Sequence, residues 1–261
     1  MTTADSPEQR LARSVRQHLL TDVSFGVTFG VTNAAVPVSA ASVPDDGAGP
    51  QESGLVRQVT VGSATHGGAS AERLDELRAR YERDAPHASF GHSFSNIVFG
   101  EGDPDARLMF VGEAPGADED ASGRPFVGRA GQLLEKMIGA MGLSRETVYI
   151  ANVLKVRPDN NATPTLSERE ASWPYLQEQI GIVSPEVIVT LGLPATHTVL
   201  DTSGSMAKLR ARFHPYLCVT GRAVEVMPTY HPAYLLRSYT AENRQKVWSD
   251  LQQVMRRLGF E

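Results

Sequence analysis

The chain has 261 residues, of which 41% are hydrophobic, 21% charged and 7% aromatic. These values are typical of a globular chain and exclude a collagen or a wholly disordered protein. A single cysteine, Cys218, excludes an intramolecular disulfide and a zinc or iron–sulfur site built from four thiolates of this chain. The net charge of −5 conceals a division, because residues 205–261 are +5 and the remainder is −10.

The first 70 residues divide into two segments. The extension, 1–33, lacks the basic start and apolar core of a signal peptide, and no stretch is long and apolar enough to span a bilayer, so we expect a cytoplasmic protein. Apolar residues at helical spacing predict a short helix over 7–20. Residues 34–70 are predicted to be a flexible linker, since 21 of the 37 are Ala, Gly, Ser or Pro. The alternative is an edge strand at 56–62.

A third segment, 71–261, shows the periodicity of a folded domain. It starts with a predicted helix over 71–83, and from Asp105 apolar runs alternate with helical patterns. The predicted strands are 107–112, 148–153, 186–192, 216–220 and 223–229. The predicted helices are 131–142, a helix from Thr165 with Ser167 as N-cap, 194–200 and 240–258. Apolar strands separated by helices indicate an α/β fold with a mostly parallel sheet covered on both faces.

Ligands of such sheets bind beyond the carboxyl ends of the strands. The loop after the first predicted strand, 112–131, is rich in Gly and Pro and contains the carboxylates Glu113, Asp118, Glu119 and Asp120. A carboxylate at a strand end can orient a water molecule. The alternative is a solvated acidic loop that caps the next helix. A P-loop is excluded, because no Gly-Lys-Ser/Thr follows the glycines.

The end of the second strand carries Asn152, whose amide offers a donor and an acceptor together and suits the edge of a nucleobase. The alternative is a buried Asn that satisfies loop backbone. Lys155 and Arg157 follow closely and are candidates for phosphate contacts, although single basic residues in a loop are commonly solvated.

The last strand leads into a stiff turn in which His231 lies between two prolines. An imidazole held there can stabilise a departing anion, although a single histidine is more often structural. Tyr234 and Leu235 are candidate wedges for a base stack, with Arg237 beside them, or they begin a small packed helix. No metal site is expected, because His87 and His92 lack ligand spacing.

Four segments then carry a resemblance: GEAPGADED (112–120), GRPFVGRAGQLL (123–134), NVLKVRP (152–158) and TYHPAYLLR (229–237). In this order they closely resemble the family 4 uracil-DNA glycosylases, over roughly residues 74–258. The resemblance implies a DNA base-excision enzyme with a three-layer αβα sandwich around a central, mostly parallel four-stranded sheet. It also implies that the partner is DNA containing uracil or damaged bases. We expect a monomer without a membrane partner.

The resemblance implies catalytic roles for three side chains. Glu113 corresponds to the glutamate that positions or activates the attacking water, and His231 to the histidine that contacts the base oxygen gaining charge. Asp120 matches the acidic end of the first motif.

The resemblance also implies substrate contacts. Phe126 corresponds to the phenylalanine that stacks on the extruded base, and Asn152 to the asparagine that reads the uracil edge. Backbone groups around Ala114 and Gly116 are expected to add polar contacts. An alternative function is a weakly catalytic or non-catalytic binder of damaged or abasic DNA.

One departure from the family concerns its 4Fe–4S cluster, which four cysteines hold. The corresponding positions here are Ala85, Ala88, Val156 and Ser172. We therefore expect a relative with no cofactor, in which apolar packing by residues such as Val156 and Trp173 replaces the cluster.

Overall fold

The computed structural model describes residues 66–260. The predicted helix at 7–20, the alternative strand at 56–62 and most of the predicted linker lie outside this range. The first helix begins at His66, five residues before the predicted start and within the last residues of the predicted linker. No helix in the described part of the chain is long and apolar enough to cross a membrane.

The described elements alternate between strands and helices, as predicted. The strands are β1 (Glu101–Gly102), β2 (Leu108–Gly112), β3 (Tyr149–Asn152), β4 (Val187–Leu191), β5 (His214–Leu217) and β6 (Ala223–Thr229). The α-helices are α1 (His66–Asp84), α2 (Ala117–Ser122), α3 (Arg129–Ala140), α4 (Leu166–Val183), α5 (Leu193–Leu200), α6 (Met206–Leu209), α7 (Pro232–Arg237) and α8 (Ala241–Leu258). Two short 3₁₀ helices cover Pro86–Phe90 and Asp159–Asn161.

The sheet has six strands in the order β1-β3-β2-β4-β6-β5, so two edge strands flank the four-stranded sheet that the resemblance implies. The four central strands pair in parallel, while β1 and β5 pair antiparallel at the two edges. The two-residue strand β1 is too short to produce a periodic pattern in the sequence. The predicted strand 216–220 starts two residues earlier, at His214, and ends at Leu217, because Cys218 to Arg222 form the turn into β6.

Helices cover both faces of the sheet, which confirms the αβα sandwich. Alternate residues of β2 point to opposite cores: Met109 and Val111 pack with α1, α4 and α5, and Leu108 and Phe110 pack with α3, α7 and α8. The strands therefore lack polar alternation because both faces are buried.

The carboxyl ends of the parallel strands meet at one edge of the sheet. Gly112 is paired with Asn152, and Leu191 with Thr229, so the segments that follow these residues are neighbours. Helix α4 follows β3 along the chain, and its N-cap is Thr165 rather than the predicted Ser167. The Thr165 hydroxyl accepts from the Glu168 amide, and the Glu168 carboxylate accepts from the Thr165 amide at 2.6 Å.

Candidate active site

A cavity of about 730 Å³ lies beyond the carboxyl ends of the parallel strands, where the sequence predicted a ligand crevice. It is lined by side chains from the segments that follow β2, β3 and β6. Most of the predicted site residues line it: Glu113, Ala114, Gly116, Phe126, Asn152, His231, Tyr234 and Arg237.

Glu119 shapes the first wall of this cavity. One oxygen of its carboxylate accepts hydrogen bonds from the amides of Val127 and Gly128, both at 2.9 Å, and the other accepts from the Gly116 amide at 3.0 Å. These bonds fold the loop after β2 back on itself. Sequence reasoning did not assign this role, although the three-residue spacing of Gly116 and Glu119 is that of a helix capping box.

The Phe126 backbone adopts a left-handed conformation, with a φ of 52°. This region is unfavourable for a bulky residue, so surrounding groups must hold it there. The buried Arg145 guanidinium donates to the Phe126 carbonyl at 2.8 Å and to the Pro125 carbonyl at 2.6 Å. A Cβ at Gly131 would collide with the Phe126 backbone. As a result, the Phe126 ring lies near His231, with 5.7 Å between ring centroids.

Asn152 carries an unpaired acceptor in the cavity wall. Its side chain is 1% exposed, and no described residue donates a hydrogen bond to its Oδ1. A buried acceptor without a partner costs about 1–3 kcal/mol, which a ligand N–H would recover. A Cβ at position 112 would collide with Asn152 Oδ1 and with the Phe126 ring. Gly112 therefore allows the amide and the aromatic ring to converge.

His231 caps helix α7 through its ring. Nδ1 accepts a hydrogen bond from the Ala233 amide at 3.0 Å, so the proton of the neutral imidazole is on Nε2. Burial, followed by the nearby Arg237 guanidinium, lowers the pKa of His231 to about 4. The side chain is therefore a neutral hydrogen-bond donor at physiological pH.

Glu113 follows β2 directly and lines the cavity. Burial raises the pKa of its carboxyl group, and the positive charge of Arg169 opposes that shift. A carboxylate with a raised pKa is a stronger base than an exposed one, which suits a group that accepts a proton from water.

Asp120 does not line the cavity, and its predicted catalytic contact is therefore corrected. Its carboxylate accepts from the backbone amides of Ser95 at 2.8 Å and of Asn96 at 3.1 Å. These bonds fasten the loop that precedes β1 to helix α2. The structure makes Asp120 a positioning residue for that loop.

Two of the predicted DNA contacts are also wrong, because the side chains are buried. Lys155 is 0% exposed and donates to groups inside the fold, so no phosphate can reach it. Leu235 is 2% exposed and packs in the core below α7. For Leu235, the alternative prediction of a small packed helix is confirmed by α7. Arg157 is partly exposed and donates to Asn161 Oδ1 at 2.8 Å.

Tyr234 and Arg237 are exposed at the cavity mouth, as a DNA contact requires. The Tyr234 ring stacks on Tyr230, with 5.0 Å between centroids, so the cavity wall presents a pair of aromatic rings. Sequence reasoning missed Tyr230.

No group of three or more His, Cys, Asp or Glu side chains in residues 66–260 is arranged to hold a metal ion. His92 lies close to two carboxylates, those of Glu168 and Asp159. His92 Nε2 lies 2.7 Å from a Glu168 carboxylate oxygen, and Nδ1 lies 3.9 Å from Asp159.

The comparisons with known proteins agree with this geometry. The model of the uracil DNA glycosylase superfamily matches residues 99–252, and a type-4 uracil-DNA glycosylase of Thermotoga maritima is 46% identical over 158 residues. That alignment covers 60% of this chain and 81% of the relative. The chain belongs to the type-4 uracil-DNA glycosylases. The resemblance inferred from the four sequence segments is thereby confirmed.

Other relatives support the same placement. A type-4 uracil-DNA glycosylase of Saccharolobus solfataricus is 42% identical over 169 residues, which are 63% of this chain and 77% of that protein. A type-5 uracil-DNA glycosylase of Thermus thermophilus is 33% identical over 135 residues, which are 46% of this chain and 59% of that protein. The chain is therefore more similar to these type-4 enzymes than to this type-5 enzyme.

The four positions that correspond to the cluster cysteines do not fit an iron–sulfur cluster. Val156 and Ser172 are fully buried, and Ala85 and Ala88 lie at the 3₁₀ helix that follows α1. None of these side chains can supply a thiolate. The one cysteine, Cys218, is buried in the turn between β5 and β6.

Aromatic side chains fill the space around these positions. The fully buried Tyr81 ring stacks on His87 at 5.2 Å and meets the edge of Tyr175 at 4.9 Å, and His87 contacts Phe94 at 5.0 Å. These ring contacts join helix α1, helix α4 and the segment that directly follows α1. Trp173, the other predicted filler, packs against Tyr216, with 6.1 Å between centroids.

Proposed function

We propose that this chain is a monofunctional uracil-DNA glycosylase, a hydrolase that cleaves the N-glycosidic bond of uracil in DNA and leaves an abasic site. The observation that carries the proposal is the unpaired Asn152 Oδ1 in a cavity that also contains Phe126, His231 and Glu113. A base in a duplex is out of reach of such a cavity, so the nucleotide must be extruded from the stack.

The cavity can recognise uracil by its edge and its face. Uracil presents an N3–H donor beside the O4 acceptor, which matches the Oδ1 acceptor and the Nδ2 donors of the Asn152 amide. Cytosine presents an acceptor at N3 and an amino donor at C4, so the same amide orientation would face like groups. The Phe126 ring covers one face of the base.

The reaction requires charge stabilisation on both sides of the bond that breaks. As the bond from C1′ to N1 breaks, its electron pair leaves with uracil, and the sugar becomes positive. The neutral His231 donates from Nε2 to the uracil oxygen that gains charge. The Glu113 carboxylate stabilises the sugar cation and accepts a proton from the water that adds to C1′.

A glycosylase assay with a uracil-containing oligonucleotide tests this proposal. We expect free uracil and an abasic strand as products, with a loss of about 10²-fold or more for Glu113→Ala and for His231→Ala. Glu146→Ala is the matched control, since this exposed carboxylate lies outside the cavity. Unchanged rates in both site variants would contradict the assignment.

The same assay discriminates the alternative function. Tight binding of uracil-containing or abasic DNA without release of uracil would indicate a non-catalytic binder. A panel of damaged bases in single and double strands defines the substrate range.

We also propose that the protein works without an iron–sulfur cluster, as a monomer in the cytoplasm. The absence of thiolates at the four cluster positions supports the first part. Purified protein is expected to contain no stoichiometric iron and to show no broad visible absorption band. Iron bound at stoichiometric levels would overturn the proposal.

A further inference from the structure

Lys155 is among the largest fully buried side chains of the protein. Its Nζ donates to the backbone carbonyl of Asn152 at 2.9 Å and to Gln179 Oε1 at 2.6 Å. It also lies 5.2 Å from the centre of the Phe99 ring. The ammonium group is therefore directly behind the residue that carries the unpaired acceptor of the cavity.

The contact belongs to an enclosed polar network. Gln179, also 0% exposed, donates from Nε2 to the Phe99 carbonyl and to the Tyr149 hydroxyl, both at 3.0 Å. A Cβ at Gly100 would collide with Gln179 and Tyr149, so the absence of a side chain there makes room for the network. None of these groups lines the cavity.

A buried lysine is expensive unless its ammonium group is well paired. Burial lowers the pKa of Lys155 to about 7, which shows how strongly this environment disfavours the charge. An apolar side chain of similar volume would avoid that cost. However, an apolar side chain could not donate a hydrogen bond to the carbonyl of Asn152, the last residue of β3.

We propose that Lys155 is a positioning residue for base recognition, which holds the Asn152 backbone so that the side-chain amide stays aimed at the edge of the base. The inference rests on the proposed glycosylase function, because it assigns Lys155 a role in reading uracil. Lys155 does not touch the substrate. Its effect is transmitted through one hydrogen bond to the Asn152 carbonyl.

The test compares Lys155→Met with Tyr149→Phe in the full-length protein. Methionine is unbranched and only one atom shorter than lysine, so it fills most of the same space but removes the donor. Tyr149→Phe alters the far end of the same buried network and keeps the Lys155 contact. The measurements are kcat and KM for uracil-containing DNA, and the Kd for a duplex with an abasic site, which offers no base to read.

For Lys155→Met we expect kcat/KM to fall by about tenfold to a hundredfold, as for the loss of a hydrogen bond from a charged donor. The Kd of this variant for abasic DNA should stay within about twofold of the wild-type value. For Tyr149→Phe, both kcat/KM and the Kd for abasic DNA should stay within about threefold of the wild-type values. Equal losses of excision and of abasic-site binding in Lys155→Met would overturn the inference, since they indicate a general structural role. A kcat/KM close to that of the wild type would overturn it too.

Gln179→Met covers the case in which Lys155→Met does not fold. It removes one of the two acceptors of the ammonium group, and we expect a smaller loss of kcat/KM, about threefold to tenfold, again without weaker binding of abasic DNA. Wild-type behaviour of this variant would overturn the inference. A wild-type protein that releases no uracil would instead refute the proposed function itself.

Discussion

Burial shifts the pKa values of two titratable side chains of the cavity, Glu113 and His231, in opposite directions. It raises the pKa of the Glu113 carboxyl group and lowers the pKa of the His231 imidazole to about 4. In both cases the low-polarity surroundings disfavour the charged form. His231 is therefore largely neutral over the pH range in which the Glu113 carboxylate predominates.

The pH dependence of excision follows from these shifts. The carboxylate of Glu113 is the active form, so the single-turnover rate should decrease as the pH falls through the pKa of this group, which burial raises. His231 should not set the position of this acid limb, because its pKa of about 4 lies below the raised pKa of Glu113.

Rates between about pH 5 and 8 check this expectation, with Glu113→Gln as the comparison. The residual activity of that variant should be nearly independent of pH. An acid limb of unchanged position in Glu113→Gln would assign the titration to another group.

At the scale of elements, the loop between β2 and α3 is held from two sides. Glu119 binds its backbone amides from within, and Arg145 binds the carbonyls of Pro125 and Phe126 from outside. Arg145 also lies 3.2 Å from Glu101, which pairs with the exposed Arg124. The short strand β1 thus contributes a carboxylate that orients the guanidinium.

Arg145→Met should release the strained Phe126 backbone. We expect a loss of about 2–3 kcal/mol in the free energy of unfolding and of about tenfold in kcat/KM, because two charge-assisted hydrogen bonds disappear. Urea denaturation and the glycosylase assay measure the two effects.

Arg124→Ala is the control for Arg145→Met, since it removes the other partner of Glu101 and leaves the Phe126 contacts intact. Because the Arg124–Glu101 pair is exposed on the arginine side, Arg124→Ala should lower the free energy of unfolding by about 1 kcal/mol or less. A comparable effect of both variants on excision would contradict the role assigned to Arg145.

The aromatic contacts around Tyr81 permit a second test at this scale. Its hydroxyl is buried and has no hydrogen-bond partner among the described residues. Tyr81→Phe should therefore raise the free energy of unfolding by about 1 kcal/mol, whereas Tyr81→Ala should lower it by about 3–5 kcal/mol. Denaturant titrations of the two variants separate the hydroxyl from the ring, and a destabilised Phe variant would show that the hydroxyl is satisfied.

At the scale of the whole molecule, an acidic protein must bind a polyanion. The excess of positive charge in residues 205–261 provides a local solution, because this segment includes the cavity mouth. Arg237 is exposed there, beside the paired rings of Tyr230 and Tyr234. The net charge of the chain is therefore a poor guide to its partner.

Arg237→Ala should weaken the salt dependence of the enzyme. If Arg237 contacts one phosphate, the slope of log kcat/KM against log salt concentration should decrease in magnitude by about 1. Arg212→Ala, an exposed substitution in the same segment but away from the cavity, should leave the slope nearly unchanged. Equal effects of the two variants would reveal a general charge effect.

A deletion of residues 1–65 tests the domain organisation. The cavity is lined by residues between Glu113 and Arg237, and the described fold starts at His66. We expect the shortened protein to keep its kcat/KM for uracil-containing DNA within about threefold and its melting temperature within a few degrees. A large loss of either would place part of the functional unit in the first 65 residues.

The alternation of the longer strands and helices could be predicted from the sequence. So could the edge of the sheet that carries Glu113, Asn152 and His231. Both predictions were possible because burial on both sheet faces leaves uninterrupted apolar runs, and because parallel strands bring their carboxyl ends together. These are local patterns combined with one general rule of topology.

The folded protein was needed to see which polar side chains face the cavity and which face the interior. The sequence suggests a phosphate contact for Lys155, but this side chain is buried against Gln179, 24 positions later in the chain. Asp120 accepts a hydrogen bond from Ser95, 25 positions earlier in the chain. Arg145 and Phe126 are likewise joined across 19 positions. A charged residue is stable inside a protein only when distant segments supply its partners, and no local pattern records which segments those are.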